Sequence, residues 1–153
     1  MTIRVPFNCL LVPTDFSENA WSAFQAARQL IDGDEPEIVV MHAIDPAIVN
    51  HVSQLGVGDH DEILKCMKEY ALGRMKKYSE TSNDSLKVDT LVCEGEPFIE
   101  IVRKAEDFAV DAIVMSKLGE RNHANSLLFG STAEKVIRGS KKPVIVLPNE
   151  RSD

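Results

Sequence analysis

Five short apolar segments, separated by longer amphipathic ones, are the feature that most restricts how this chain can fold. They lie at 9–12, 37–44, 86–93, 111–115 and 143–148. In each intervening segment, apolar residues recur at helical spacing. Apolar strands that alternate with helices predict a parallel sheet covered by helices on both faces. We therefore expect an α/β fold with one doubly wound, five-stranded parallel sheet, in a single domain over 1–153.

Capping and breaking residues suggest where the helices begin and end. Helical periodicity covers four segments, at 20–31, 61–79, 97–108 and 130–137. Either Asp15 or Ser17 can cap the first helix with its side-chain oxygen. The dipeptide Asp45-Pro46 interrupts the second strand, so the segment 45–58 is expected to be a long connection without a helix of its own.

Composition excludes several classes of function. The net charge is −7 and the basic residues form no cluster, so a nucleic-acid partner is not expected. The N-terminus does not resemble a signal peptide, and no apolar run is long enough to span a membrane. We expect a cytoplasmic protein whose three cysteines are small hydrophobic residues, because their spacing matches no metal site or disulfide framework.

Familiar catalytic motifs are absent from the connections that follow the strands. There is no G-x-G-x-x-G, no phosphate-binding G-x-x-x-x-G-K-[ST] and no G-x-S-x-G. A response-regulator receiver would need an aspartate after the third strand, where Cys93 and Glu94 stand instead. No general base or pair of metal-binding carboxylates converges on one loop, so catalysis is not expected beyond, at most, a slow ATPase.

One glycine-containing connection remains, between the fourth strand and the last helix. Gly119 is followed by a polar segment and then by Gly130-Ser131-Thr132 at a predicted helix start. Glycines let a phosphate approach the backbone, and a helix N-terminus offers N–H groups and a partial positive charge. Taken alone, the pattern fits either a phosphate site or an ordinary helix cap.

Blocks spread over nearly the whole chain resemble the universal stress proteins. They are Leu11-Val12-Pro13-Thr14-Asp15-Phe16-Ser17, Met41-His42-Ala43-Ile44-Asp45, Glu94-Gly95-Glu96-Pro97, Gly130-Ser131-Thr132-Ala133-Glu134-Lys135-Val136-Ile137 and Lys142-Pro143-Val144-Ile145-Val146. Their order and spacing carry the resemblance. It implies the adenine-nucleotide alpha-hydrolase-like fold of that family.

The glycine loop departs from the family pattern in two places. ATP-binding members of the family resemble G-x2-G-x9-G-[ST] after the fourth strand. Here Ser116 stands at the first glycine position, Gly119 matches the second, and Gly130-Ser131 matches the third after ten residues instead of nine. Ser116 would add a Cβ beside the ribose, and the additional residue would shift the phosphate arm. Neither change removes the N–H groups of the helix terminus.

The resemblance also implies a set of nucleotide contacts. The expected binding residues are Pro13, Thr14, Asp15, Ala43, Met115, Ser116, Gly119, Gly130, Ser131 and Thr132. Pro13 and Thr14 would line the adenine slot, and Asp15 would accept hydrogen bonds from the ribose hydroxyls. Asp15 has an alternative role as the cap of the first helix. The loop cations Lys117 and Arg121 could screen a triphosphate.

Two functions follow from the resemblance. The first is a stress-response protein that binds ATP or a related adenine nucleotide, with Mg²⁺ on the phosphates, as a regulatory switch. The second is a dimeric interaction module of the same family that has lost nucleotide binding. In both cases the strand Val144-Ile145-Val146 is expected at a sheet edge, where it would pair with its twin in a homodimer.

Overall fold

Strands and helices alternate along the chain in a computed structural model that describes residues 6–118 and 129–148. The strands are β1 (Cys9–Pro13), β2 (Glu37–Ile44), β3 (Lys87–Glu94), β4 (Ala112–Ser116) and β5 (Val144–Leu147). The helices are α1 (Glu18–Leu30), α2 (Pro46–Gln54), α3 (His60–Ser79), α4 (Pro97–Asp107) and α5 (Ser131–Gly139). The predicted α/β class and the five predicted strands are confirmed.

All strand pairs are parallel, and the strands lie in the order β3-β2-β1-β4-β5. The chain builds the sheet outwards from β1 to β3, then returns to the other side of β1 to place β4 and β5. The direction of winding therefore changes between β1 and β4. In sheets of this kind, ligands bind beyond the carboxyl ends of the strands at that point.

Side chains of each central strand point alternately to two helical layers. Leu10 and Val12 of β1 pack with Phe24 of α1 and Met75 of α3. Leu11, between them, packs on the opposite face with Ile101 of α4 and, in the same cluster, with residues of α5. These apolar strands are buried on both faces, as the sequence predicts for a doubly wound sheet.

The expected long connection at 45–58 is wrong, because it contains helix α2. Asp45 is the N-cap of α2, and its carboxylate accepts a hydrogen bond of 2.9 Å from the N–H of Ala47. Pro46 occupies the first turn, where a missing N–H costs nothing. Asp-Pro here begins a helix as well as ending a strand, and Val49 anchors the helix in a small core with Ile44 and Ile63.

None of the helices within residues 6–118 and 129–148 is long and apolar enough to cross a membrane.

Candidate functional site

A cleft of about 540 Å³ opens at the carboxyl end of the sheet, where the winding changes direction. It lies beyond β1, β2 and β4, and the starts of α4 and α5 complete its wall. Its size is that of an ordinary small-molecule site. The predicted contacts that line it are Pro13, Thr14, Asp15, Ala43, Met115, Ser116, Gly130, Ser131 and Thr132.

At the β1 end of the cleft, Thr14 is held by hydrogen bonds on every side. It is 6% exposed, and its hydroxyl shares a hydrogen bond of 2.7 Å with the hydroxyl of Tyr78. The same oxygen accepts from the N–H of Phe16 at 2.9 Å. The N–H of Thr14 donates to the Met41 carbonyl at 2.8 Å. The turn after β1 is therefore fixed before any ligand arrives.

Phe16 gives this turn its shape through an unusual backbone conformation. Its φ is 67°, in the left-handed region. That region is unfavourable in free energy for any residue that has a side chain. The guanidinium of Arg74 stabilises the conformation by donating a 3.0 Å hydrogen bond to the Phe16 carbonyl. It also lies 5.7 Å from the Phe16 ring centroid. Arg74 thus ties α3 to the turn that carries Asp15.

Asp15 does not cap α1, and the alternative role considered for it is wrong. The cap is Ser17, whose hydroxyl accepts from the N–H of Ala20 at 3.2 Å. Asp15 instead accepts from the N–H of Ser17 at 3.0 Å through one carboxylate oxygen, Oδ1. Asp15 is held in that local turn and lines the cleft.

His42 is a partly buried neutral group in the cleft wall. Its Nδ1 lies 2.8 Å from the Thr14 carbonyl. A carbonyl only accepts, so Nδ1 carries the proton and donates it. Burial lowers the pKa of His42 below 6.5, although the hydrogen bond to Thr14 and the charge of Asp15 oppose that shift. The Phe16 ring, 4.5 Å away between centroids, covers the imidazole.

At the β4 end, backbone hydrogen bonds bring the start of α5 to the end of the strand. The N–H of Gly130 donates to the Lys117 carbonyl at 2.9 Å, and the N–H of Lys117 donates to Leu147 at 2.8 Å. Gly130 is the N-cap of α5 and has no side chain with which to accept from the first turn. The first N–H groups of α5 have no partners within the helix, and this terminus carries a partial positive charge.

Charged side chains from two helices meet across this end of the cleft. The Nζ of Lys135, on α5, lies 3.3 Å from Oε1 of Glu96, the N-cap of α4. It is also 5.2 Å from the centroid of Phe98. On the other side, Nζ of Lys117 lies 5.5 Å from the centroid of Phe129. All these residues but Phe129 line the cleft.

Most of the predicted site residues are therefore brought together. Gly119 and Arg121 lie outside the described residues, as does most of the ten-residue spacer. Sequence reasoning did not assign two pairs of residues to the site. In the first, the Arg74 guanidinium donates a hydrogen bond of 3.3 Å to the Tyr70 hydroxyl. The second is the ion pair Glu96–Lys135. The spacing of 70 and 74 placed both on one helical face, but only the tertiary structure shows that this face borders a cleft.

No protein-built metal centre is seen among residues 6–118 and 129–148, where no group of three or more metal-ligating side chains converges.

Similarity to known proteins supports the resemblance seen in the sequence. The model of the universal stress protein family matches residues 6–148. The chain belongs to the universal stress protein family. Universal stress protein MJ0577 of Methanocaldococcus jannaschii is 31% identical over 98% of this chain and 100% of its own. A solved structure of MJ0577 aligns with a TM-score of 0.84 at 32% identity, over 97% of this chain and all of that one.

More distant structures with this fold contain adenine nucleotides. A universal stress protein in complex with cAMP aligns over 94% of this chain and 98% of its own, with a TM-score of 0.58 and 20% identity. The Arabidopsis thaliana protein At3g01520, with AMP bound, aligns over 95% and 94% with a TM-score of 0.60 and 14% identity. At these identities the likeness concerns the fold.

Proposed function

We propose that this protein binds ATP or a related adenine nucleotide in the cleft and acts in the cytoplasm as a nucleotide-dependent switch. The observation that carries the proposal is the cleft itself. It brings the Asp15 carboxylate and the Gly130-Ser131-Thr132 helix start, far apart in sequence, to one site at the carboxyl ends of the strands. Nucleotides in two structures of the same fold agree with that ligand class.

Each end of the cleft offers what one part of the nucleotide requires. Pro13, Ala43 and Met115 supply apolar surface and backbone groups for a flat base. Asp15 supplies a two-oxygen acceptor for neighbouring ribose hydroxyls. The first N–H groups of α5, with the hydroxyls of Ser131 and Thr132, supply donors for phosphate oxygens. Ser116 also lines the cleft, so its side chain borders the ribose region.

Magnesium would enter such a site with the phosphates. Mg²⁺ keeps several waters and needs only one or two protein carboxylates when phosphates supply further ligands. The described residues form no all-protein cage, so the phosphates and water would supply most of the ligands. The ion would screen the phosphate charge.

Calorimetric titration with AMP, ADP and ATP tests the proposal. We expect saturable binding with one site per chain. The single Trp21 offers a second signal, because its ring lies 5.0 Å from that of Tyr78, which bonds Thr14 in the cleft. Absence of heat and of fluorescence change at millimolar nucleotide would exclude the proposal and favour the interaction module.

We propose further that the chain forms a homodimer through β5. This strand ends the sheet, so one side of its backbone faces away from β4. The other edge strand, β3, carries Lys87 and Asp89, whose Nζ and Oδ2 lie 3.1 Å apart. Charges of that kind discourage strand pairing, and the four residues of β5 are apolar.

Proline substitutions at adjacent positions of β5 test the dimer. The Pro143 carbonyl accepts from Ile113 of β4, and the Leu147 carbonyl accepts from Lys117 just after β4. By alternation, the N–H of Val146 therefore faces away from β4. Val146→Pro should give a folded monomer in sedimentation, whereas Leu147→Pro should also lower stability. A wild-type protein that sediments as a monomer at all concentrations would contradict the dimer.

A further inference from the structure

The ion pair Glu96–Lys135 lies in the wall of the cleft, although an ion pair that only stabilised the surface could lie anywhere on it. Both side chains line the cleft, and each is about half exposed, at 48% and 53%. Lys135 lies one turn after Ser131 on α5, so the two share a helix face. The ammonium is therefore on the same side of α5 as the Ser131 hydroxyl, which is proposed to bind phosphate, but farther along the helix.

Glu96 is placed by a turn that only glycine adopts easily. Gly95 has φ of 149°, and a Cβ there would come within 2.6 Å of Glu100 Cγ. Glu100 is in turn buried and held by Arg103 at 2.7 Å. The backbone that presents Glu96 is thus fixed, while the Glu96 side chain is about half exposed and pairs with Lys135.

The cleft is also less acidic than the rest of the chain. Its lining carries Asp15, Asp45 and Glu96 against Arg74, Lys117 and Lys135, in a chain whose net charge is −7. Arg74 already donates to Phe16 and Tyr70. Lys135 differs, because its described partner is a half-exposed carboxylate, and such a pair contributes little stability. Its ammonium can exchange that partner for a phosphate at small cost.

We propose that Lys135 distinguishes nucleotides by their number of phosphates. Its ammonium exchanges the Glu96 carboxylate for the terminal phosphate of a nucleoside triphosphate. This rests on the proposed function. The first-turn N–H groups of α5 serve the phosphate nearest the ribose, and a monophosphate ends there. A triphosphate extends towards Lys135, where a charge-assisted hydrogen bond replaces the ion pair with Glu96. Glu96 competes with the terminal phosphate and so lowers triphosphate affinity.

Calorimetry with AMP and ATP on wild type, Lys135→Gln and Glu96→Gln tests this. Both residues are exposed, so neither change should prevent folding. We expect Lys135→Gln to weaken ATP about tenfold and to leave AMP within about twofold, since a charge-assisted hydrogen bond is removed from ATP alone. Glu96→Gln should strengthen ATP binding by about twofold to fivefold without changing AMP.

Arg138→Gln is the matched control, because Arg138 pairs with Glu134 at 2.9 Å on the same helix but does not line the cleft. It should change neither affinity by more than about twofold. Equal weakening of AMP and ATP by Lys135→Gln, or unchanged ATP affinity, overturns the inference and leaves the proposed function standing. A wild-type protein that binds neither nucleotide overturns both.

Discussion

The two ends of the cleft are built in opposite ways. At the β1 end, side chains hold one another, since Thr14, Tyr78, His42 and Arg74 are joined to the turn by hydrogen bonds. At the β4 end, the backbone holds the shape through Gly130 and Lys117, and the polar side chains remain at the surface. At the first end, the side chains of Thr14 and Arg74 both hold the turn and line the cleft, whereas at the second end the polar side chains that line the cleft do not hold its shape. Substitutions should therefore behave differently at the two ends.

The largest effect is expected for Thr14→Val at the β1 end. The change leaves the Tyr78 hydroxyl and the Phe16 N–H without their partner at a buried site. We expect the free energy of unfolding to fall by about 1–3 kcal/mol. Nucleotide affinity should fall with it. Chemical denaturation measures the first and calorimetry the second. Thr90→Val, at an exposed position of β3, is the control and should have little effect.

A comparable loss of affinity, without loss of stability, is expected for Asp15→Asn. Asparagine keeps the acceptor for the Ser17 N–H but loses the charge and one acceptor oxygen. AMP and ATP should both bind about tenfold more weakly, because the lost contact is to the ribose. Asp45→Asn removes the same charge from the same cleft and keeps its helix cap. Equal weakening by both variants would assign the effect to general electrostatics.

A smaller effect is expected at the β4 end, where Ser131→Ala should weaken ATP about threefold to tenfold by removing one hydroxyl donor. Ser131 is exposed, so the unfolding midpoint should hardly move. Denaturation and calorimetry on one preparation separate these outcomes. A clear loss of stability with unchanged ATP affinity would assign Ser131 to the helix start alone.

The smallest effect is a pH dependence from His42. Its pKa is lowered by burial, so the unfolded chain takes up the proton first as pH falls below about 6.5. Stability should then decrease until the pH reaches the folded-state pKa. His42→Gln should reduce this slope as pH falls below about 6.5 in denaturation experiments, and His60→Gln, on the exposed start of α3, should not. Identical slopes in all three proteins would contradict this reading of His42.

The same contrast explains how far the sequence alone leads. The strands and the doubly wound sheet follow from apolar runs such as 37–44, because strands buried on both faces leave that pattern. Helix α2 was missed because Asp45-Pro46 both ends a strand and begins a helix. Arg74 and Lys135 were missed because their roles depend on helix packing, which places α3 and α5 beside the cleft. Local spacing carries no such information.

A spectrum of ¹⁵N-labelled protein titrated with ATP and, separately, with adenosine tests the central claim most directly. With ATP, we predict saturable shifts of backbone amides at both ends of the cleft, in 14–17 and in 131–133. With adenosine, which lacks phosphates, the shifts should concentrate at the β1 end. The account is contradicted if millimolar ATP produces no saturable shifts, or if they map to residues outside the cleft.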